Sequence, residues 1–84
     1  MTFEQETLQL TESCATLLPS SDVENIRGLA KAGEWGVALE NLATQLFEYD
    51  VGVPAEFAKR YVTIATSIGL DPKYAELVRA LRKL

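Results

Sequence analysis

The sequence predicts an all-α protein: a single domain over residues 1–84 that folds as a bundle of four or five antiparallel helices. Two observations indicate this fold class. Apolar residues recur every three or four positions along most of the chain, which is the period of a helix with one buried face. No segment alternates between apolar and polar residues for long enough to form a strand. Glycines and prolines divide the chain into helices with short connections, which place consecutive helices side by side.

A first helix is predicted over residues 3–17. Its apolar residues share one stripe, which is expected to face the core: Phe3, Leu10, Cys14 and Leu17. Leu8 and three threonines make this stripe less regular than those that follow. Cys14 is interpreted as a small buried side chain, because the sequence suggests no base that would activate its thiol.

A second helix is predicted over residues 22–32. Ser21 followed by Glu24 matches the capping box, in which a hydroxyl accepts from a free backbone N–H and the glutamate reaches back to the cap. Gly33 is expected to end the helix in the left-handed conformation that glycine adopts without strain. The stripe predicted to be buried contains Val23, Ile26, Leu29 and Ala30.

The third helix, predicted over residues 34–49, has the clearest period. Its buried face is predicted to contain Trp35, Ala38, Leu39, Leu42, Ala43, Leu46 and Tyr49. Its opposite face is predicted to contain Glu40, Asn41, Thr44, Gln45 and Glu48. Phe47 lies at the edge between the two faces, beside the acidic turn of residues 48–50. Two interpretations of Phe47 stay open: packing against a neighbouring helix, or anchoring a partner protein.

Two further helices complete the predicted bundle. Pro54 is expected at the first position of the fourth helix, where a missing N–H costs nothing, and Gly69 is expected to end it. Asp71 followed by Pro72 predicts the cap and first turn of the fifth helix. Inward-facing residues are Phe57, Tyr61, Ile64, Ala65 and Ile68 in the fourth helix and Tyr74, Leu77, Val78 and Leu81 in the fifth. The core is expected to centre on Trp35, Leu39, Leu42, Leu46, Phe57, Tyr61, Ile64 and Leu77.

Charge is distributed unevenly along the chain, whose formal net charge is −4. Residues 32–58 contain no lysine or arginine, whereas residues 57–84 contain most of the basic side chains. The carboxylates of this middle segment are Glu34, Glu40, Glu48, Asp50 and Glu56. Such a segment repels a phosphate backbone and attracts a basic protein, so direct binding of nucleic acid is disfavoured.

The protein is expected to be cytoplasmic. A single cysteine cannot form an internal disulfide, which favours a reducing compartment. The first residues include acidic side chains where a signal peptide has basic ones, and no apolar run approaches the roughly 20 residues that span a bilayer. Neither export nor a membrane partner is therefore expected.

The composition argues against an enzyme. The chain contains no histidine, the commonest general base and metal ligand, and one cysteine cannot build a thiolate metal site. No glycine-rich phosphate-binding loop is present. Glu40 and Glu48 lie about 12 Å apart along one helix, farther than paired catalytic carboxylates. We expect no catalytic residue, no metal and no cofactor.

Two stretches of the middle segment carry a resemblance to a known family. Residues 33–42 read GEWGVALENL and residues 45–51 read QLFEYDV, and a proline-started helix follows them. Together they resemble the MafI-type family of bacterial immunity proteins, and the similarity covers residues 18–71 and Tyr74. Members of that family are small cytosolic proteins that neutralise the toxic C-terminal domain of a secreted polymorphic toxin.

The resemblance implies a partner and a binding surface. The partner would be the C-terminal domain of a cognate toxin, expected to be a basic nuclease whose active-site cleft this protein occludes. The acidic middle segment agrees with this, since a nuclease that grips phosphates is itself positive. The partner-binding residues are expected to be Glu34, Glu40, Thr44, Phe47, Glu48, Tyr49 and Asp50. Both a monomer and a weak homodimer are compatible with the sequence.

Two other functions are compatible with parts of the sequence. The helix pair around Gly33 also occurs in helical adaptors that bind peptides, although such repeats usually need about three copies to be stable. A nucleic-acid-binding regulator would use the basic residues near the C-terminus, although these resemble ordinary solubilising charges. Those residues are Lys59, Arg60, Arg79, Arg82 and Lys83.

Overall fold

The computed structural model describes residues 1–83, and within them the chain forms five α-helices and no β-strand. The helices are α1 (Phe3–Ser13), α2 (Ser20–Lys31), α3 (Trp35–Glu48), α4 (Ala55–Ile68) and α5 (Pro72–Ala80). The predicted all-α bundle is therefore confirmed. The last residue of the predicted domain, Leu84, lies outside the described residues.

Three of the glycines and prolines that were expected to interrupt helices lie at helix ends in the structure. Gly33 and Gly69 both adopt positive φ, 83° and 84°, and end α2 and α4. The Asp71 carboxylate accepts a hydrogen bond from the Lys73 N–H (3.0 Å), and Pro72 opens α5. These positions fit the left-handed cap, the side-chain cap and the first-turn proline of ordinary helix ends.

Helix α3 lies at the centre of the bundle, against α1, α2 and α5, with fewer contacts to α4. Its fully buried side chains are Ala38, Leu39, Leu42, Ala43 and Leu46. From α4 they meet Phe57, Ala58, Tyr61, Ile64 and Ala65 in one core cluster. Most of the predicted core is thus buried, while Trp35 and Leu77 are only partly covered at its rim.

Helix α1 is shorter than predicted and turns a different stripe inward. It ends at Ser13, and Phe3 and Leu17 are exposed. In their place, Thr7 and Thr11 are fully buried beside Leu10 and Cys14. The Thr11 hydroxyl donates to the Thr7 carbonyl (2.8 Å), which satisfies a polar group that burial would otherwise penalise.

The predicted capping box of α2 is wrong. The helix begins at Ser20 after Pro19, which offers no side-chain cap, and Glu24 instead accepts from Arg27 on its own helix. A real capping box occurs at the start of α1, where Thr2 and Gln5 exchange backbone and side-chain hydrogen bonds. At α4, Pro54 is the cap and Ala55 the first helical residue, one position later than expected.

The connection between α3 and α4 is fixed to the far end of the chain. The Val53 N–H donates to the Leu81 carbonyl (2.9 Å), and the Lys83 N–H donates to the Val53 carbonyl (2.7 Å). The Lys83 side chain lies over Gly52, where even an added Cβ would collide with it. The end of α3, the start of α4 and the residues after α5 therefore meet at one end of the bundle. None of the helices described has the length and apolar character that crossing a bilayer requires.

Candidate protein-binding surface

The predicted partner-binding residues lie along the outer side and at both ends of α3. Thr44, Phe47, Glu48, Tyr49 and Asp50 are exposed, and Glu40 is half-buried one turn before Thr44. Glu34 is also exposed but precedes the first residue of α3. The 14 residues of α3 extend about 21 Å, so Glu34 lies roughly a helix length from Glu48, although it is only about 9 Å from Glu40 along the helix. One compact surface therefore takes in the C-terminal end of α3 and excludes Glu34.

The most prominent part of this surface is the acidic knob, which we define as Phe47, Glu48, Tyr49 and Asp50. Phe47 and Tyr49 are each 53% exposed, and both acids are exposed. The exposure of Phe47 leaves it free of the core, so the helix-packing interpretation is not supported. The burial predicted for Tyr49 is wrong, because α3 ends at Glu48 and carries the following residue beyond the core.

Asp50 holds the knob in a turn of unusual backbone conformation. Its φ is 50°, and among residues 1–83 it is the only residue other than glycine with positive φ. The Val51 N–H donates to the Leu46 carbonyl (2.9 Å) across it, which pairs one of the free carbonyls at the helix end. Glycine is the residue that adopts this conformation most readily, so a carboxylate is present where it is not the best choice for folding.

Within residues 1–83, the carboxylates of the middle segment form no ion pair. Among residues 1–83, ion pairs join Arg27 to Glu12 and Glu24, Arg60 to Glu6, and Arg79 to Glu76. None of these pairs involves Glu34, Glu40, Glu48, Asp50 or Glu56. At least one charged residue of each of α1, α2, α4 and α5 is thus paired within the fold, whereas no carboxylate of α3 or its ends is.

Two polar residues on the outer face of α3 are partly satisfied by the helix itself. The Thr44 hydroxyl donates to the Glu40 carbonyl (2.8 Å), and the Asn41 amide donates to the Val37 carbonyl (2.8 Å). Thr44 therefore offers a partner only acceptor capacity and its methyl group. Val37, which was not predicted as a surface residue, is exposed two turns before Thr44 on the same side of the helix.

The knob is carried by a well-anchored helix. The Tyr61 hydroxyl of α4 donates to the Leu39 carbonyl of α3 (2.6 Å) in the core. Burial raises the pKa of Tyr61, and the charge of Glu40 and the nearby Tyr74 raise it further, so the hydroxyl keeps its proton and remains a donor. This bond ties α4 to the middle of α3.

The thiol of Cys14 lies in the core, away from this surface. Cys14 is buried, and burial raises the pKa of its thiol, which confirms its interpretation as a small core side chain. Within the described part of the chain, no three carboxylate or thiol groups are placed to share a metal ion.

A second surface feature lies beside the knob and was not found from the sequence. A groove of about 470 Å³ between α4 and α5 is lined by three apolar residues, which we call its floor, by Thr63, and by three cations, which we call its rim. The floor residues are Ala55, Ala58 and Val62, and the rim residues are Lys59, Arg79 and Arg82. We call this the basic groove. The sequence placed α4 beside α5 but could not show which of their side chains line a common groove, so these cations were interpreted as solubilising charges.

No protein-family model, no curated protein and no solved structure matches this chain. The resemblance to immunity proteins therefore rests on residues 33–42 and 45–51 alone.

Proposed function

We propose that this protein is an immunity protein that binds a basic toxin domain with the acidic knob and the adjoining face of α3. The proposal rests on which carboxylates of the protein form ion pairs and which do not. The carboxylates of α3 and its ends form no ion pair within residues 1–83, while carboxylates on α1, α2 and α5 do. An exposed anionic surface on a rigid support is complementary to a positive cleft.

The knob contains aromatic side chains as well as carboxylates, so it can make apolar contacts with a partner in addition to electrostatic ones. Aromatic side chains supply much of the binding energy in protein interfaces, and the energetically dominant residues cluster at the centre. Phe47 and Tyr49 offer apolar area that the fold leaves exposed, and each is followed by an acid. The aromatics would bury on binding, while Glu48 and Asp50 would meet lysines and arginines of the partner.

The rigidity of α3 reduces the free energy lost on binding. Its inner face is fully buried, and the Tyr61–Leu39 hydrogen bond fixes its middle. A helix that is already ordered loses little conformational entropy when it docks. Long-range attraction between opposite charges raises the association rate, which suits an inhibitor that must act before its target does.

We further propose that the toxin is a nuclease and that inhibition is by occlusion of its active-site cleft. A nuclease binds the phosphate backbone with a positively charged cleft, and an acidic protein surface competes with nucleic acid for that cleft. The family resemblance of residues 33–51 supports the same partner class. A cytoplasmic location is part of the proposal, because the protein would protect the cell that makes the toxin.

The experiment pairs this protein with the toxin domain encoded by the neighbouring upstream gene, expressed from an inducible promoter. Cells that carry this protein should grow, and cells with Glu48→Lys and Asp50→Gly together should lose protection. Glu4→Lys is the matched control, since it also reverses a glutamate but lies on α1 and forms no ion pair among residues 1–83. Full protection by the knob variant would contradict the proposed surface. Absence of any such neighbouring gene, with many unrelated proteins captured instead, would favour a general helical adaptor.

A further inference from the structure

The acidic knob and the basic groove are complementary to each other, and they lie at the same end of the bundle. The knob contains the last two residues of α3 and the two that follow, and Val53 joins residues 51–55 to residues 81–83 through two backbone hydrogen bonds. The groove is lined by Ala55 at the start of α4 and by Arg82 after the end of α5. One short connection therefore separates an acidic surface from a basic one.

Within residues 1–83 of one molecule, the acidic knob and the basic groove form no ion pair with each other. No ion pair joins Glu48 or Asp50 to Lys59, Arg79 or Arg82 in the part of the chain that the structure describes. Arg79 pairs only with Glu76 of its own helix, while Lys59 and Arg82 form no ion pair there. The groove also has an apolar floor, which matches exposed aromatic side chains and not a purely charged ligand.

We propose that two copies of this protein associate reciprocally, the knob of each copy entering the basic groove of the other. Adjacent acidic and basic surfaces are self-complementary under a twofold axis, so one rotation forms both contacts at once and closes the assembly as a dimer. Phe47 or Tyr49 would lie on the floor of Ala55, Ala58 and Val62. Glu48 and Asp50 would face Lys59 and Arg82.

A second copy suits the groove better than nucleic acid does. A phosphate backbone that entered the groove would approach the exposed acids of the adjacent knob and be repelled by them. A copy of the knob brings two carboxylates, one for each unpaired cation of the rim, together with aromatic area for the floor. The contact is small and carries exposed charge pairs, so the dimer is weak and sensitive to salt.

This inference does not depend on the proposed function, since the groove is not part of the proposed toxin-binding surface. It does imply that dimer formation covers the knob, so the dimer and a complex formed through the knob exclude each other.

The test is a charge swap followed by sedimentation velocity at low and high salt. The knob variant carries Glu48→Lys and Asp50→Lys, and the groove variant carries Lys59→Glu and Arg82→Glu. The wild type should show a dimer that dissociates as salt is added. Each variant alone should associate at least about tenfold more weakly than the wild type, because like charges then meet across the interface. An equimolar mixture of the two variants should recover the dimer, since both of its contacts again join opposite charges.

Circular dichroism establishes that each variant is folded, and Glu48→Lys alone replaces the knob variant should Asp50→Lys prevent folding. A wild type that remains monomeric at every concentration and salt would overturn the proposal. So would a dimer that tolerates both variants, or a mixture that stays monomeric. Binding of a DNA duplex that the groove variant abolishes would assign the groove to phosphate instead of to a second copy.

Discussion

Helices α2 and α3 end in the same hydrogen-bonded turn but with different residues at its critical position. After α2, the Glu34 N–H donates to the Leu29 carbonyl (2.9 Å) across Gly33, whose φ is 83°. After α3, the Val51 N–H donates to the Leu46 carbonyl (2.9 Å) across Asp50, whose φ is 50°. Glycine adopts the left-handed conformation without strain, and aspartate does so at some cost in free energy.

The two ends also differ in charge. Lys31 lies in the last turn of α2, where a cation is stabilised by the helix dipole. The last turn of α3 contains no basic residue and ends with Glu48, whose charge is unfavourable there. The end of α3 therefore keeps two residues that lower the stability of the fold. Residues of that kind are expected where a surface is selected for binding in addition to folding.

The largest expected effect is a difference in stability between a variant on the inner side and a variant on the outer side of the end of α3. Leu46 is fully buried, so Leu46→Ala should lower the free energy of unfolding by about 2–5 kcal/mol through lost contacts and a cavity. Phe47→Ala should lower it by less than about 1 kcal/mol, because 53% of the residue is exposed and it lies outside the core cluster. Urea denaturation of both variants measures this contrast. Equal destabilisation would show that Phe47 serves the core and not the surface.

Replacing Gly33 and replacing Asp50 should change the free energy of unfolding in opposite directions. Nothing lies within 4 Å of a Cβ added at Gly33, so Gly33→Ala should destabilise by roughly 1 kcal/mol through backbone strain alone. Asp50→Gly should stabilise by roughly 0.5–1 kcal/mol, since it relieves the same strain. Thermal denaturation followed by circular dichroism measures both changes. A loss of stability in Asp50→Gly would mean that the carboxylate supports the fold.

Reversing the terminal charges should have a smaller effect that depends on salt. Glu48→Lys should stabilise by about 0.3–1 kcal/mol, and Lys31→Glu should destabilise by a similar amount, because a helix C-terminus favours cations. Both changes should shrink as ionic strength rises. Unfolding curves at low and high salt measure the dependence. Destabilisation by Glu48→Lys at low salt would reveal a favourable role for this glutamate within the fold.

The smallest expected effect concerns the paired charges between α1 and α2. Hydrogen bonds from the Arg27 guanidinium, one of them 2.6 Å long, hold the pKa of Glu12 below its ordinary value of 4.5. The folded protein therefore binds this proton less readily than the unfolded chain. The contribution to stability is present above about pH 4.5 and is lost as the pH falls through the folded pKa.

Arg27→Gln is the variant that isolates this contribution. It should lower the melting temperature slightly at pH 7, and the difference from the wild type should narrow in acid. A difference that stays constant from pH 7 to pH 3 would contradict the assigned role of the pair.

The sequence predicted those parts of the fold that depend on local chemistry. The glycine ends of α2 and α4 and the start of α5 follow from backbone preferences of single residues, and the inner face of α3 follows from its period. The capping box at Ser21 was wrong because a cap also requires an extended backbone at that residue, whereas Ser21 lies inside α2. The buried threonines of α1 were missed because their burial depends on which helices cover α1.

The candidate surface was predictable only in part for the same reason. The acids and Phe47 follow from their positions on one helix. Tyr49 was placed inside by the helical period, and its exposure depends on where α3 leaves the core. The pairing of Arg27 with Glu12 and of Arg60 with Glu6 joins different helices, so it could not be read from the chain. These pairs between helices separate the carboxylates that are paired within residues 1–83 from those of α3 and its ends, which are not.

The central claim is that the end of α3 is shaped for binding at some expense to folding. Isothermal titration calorimetry of the Glu48→Lys, Asp50→Gly double variant with the neighbouring toxin domain tests it most directly. The variant should be at least as stable as the wild type, yet bind at least about tenfold more weakly. Unchanged affinity in a folded, stabilised variant would contradict the claim.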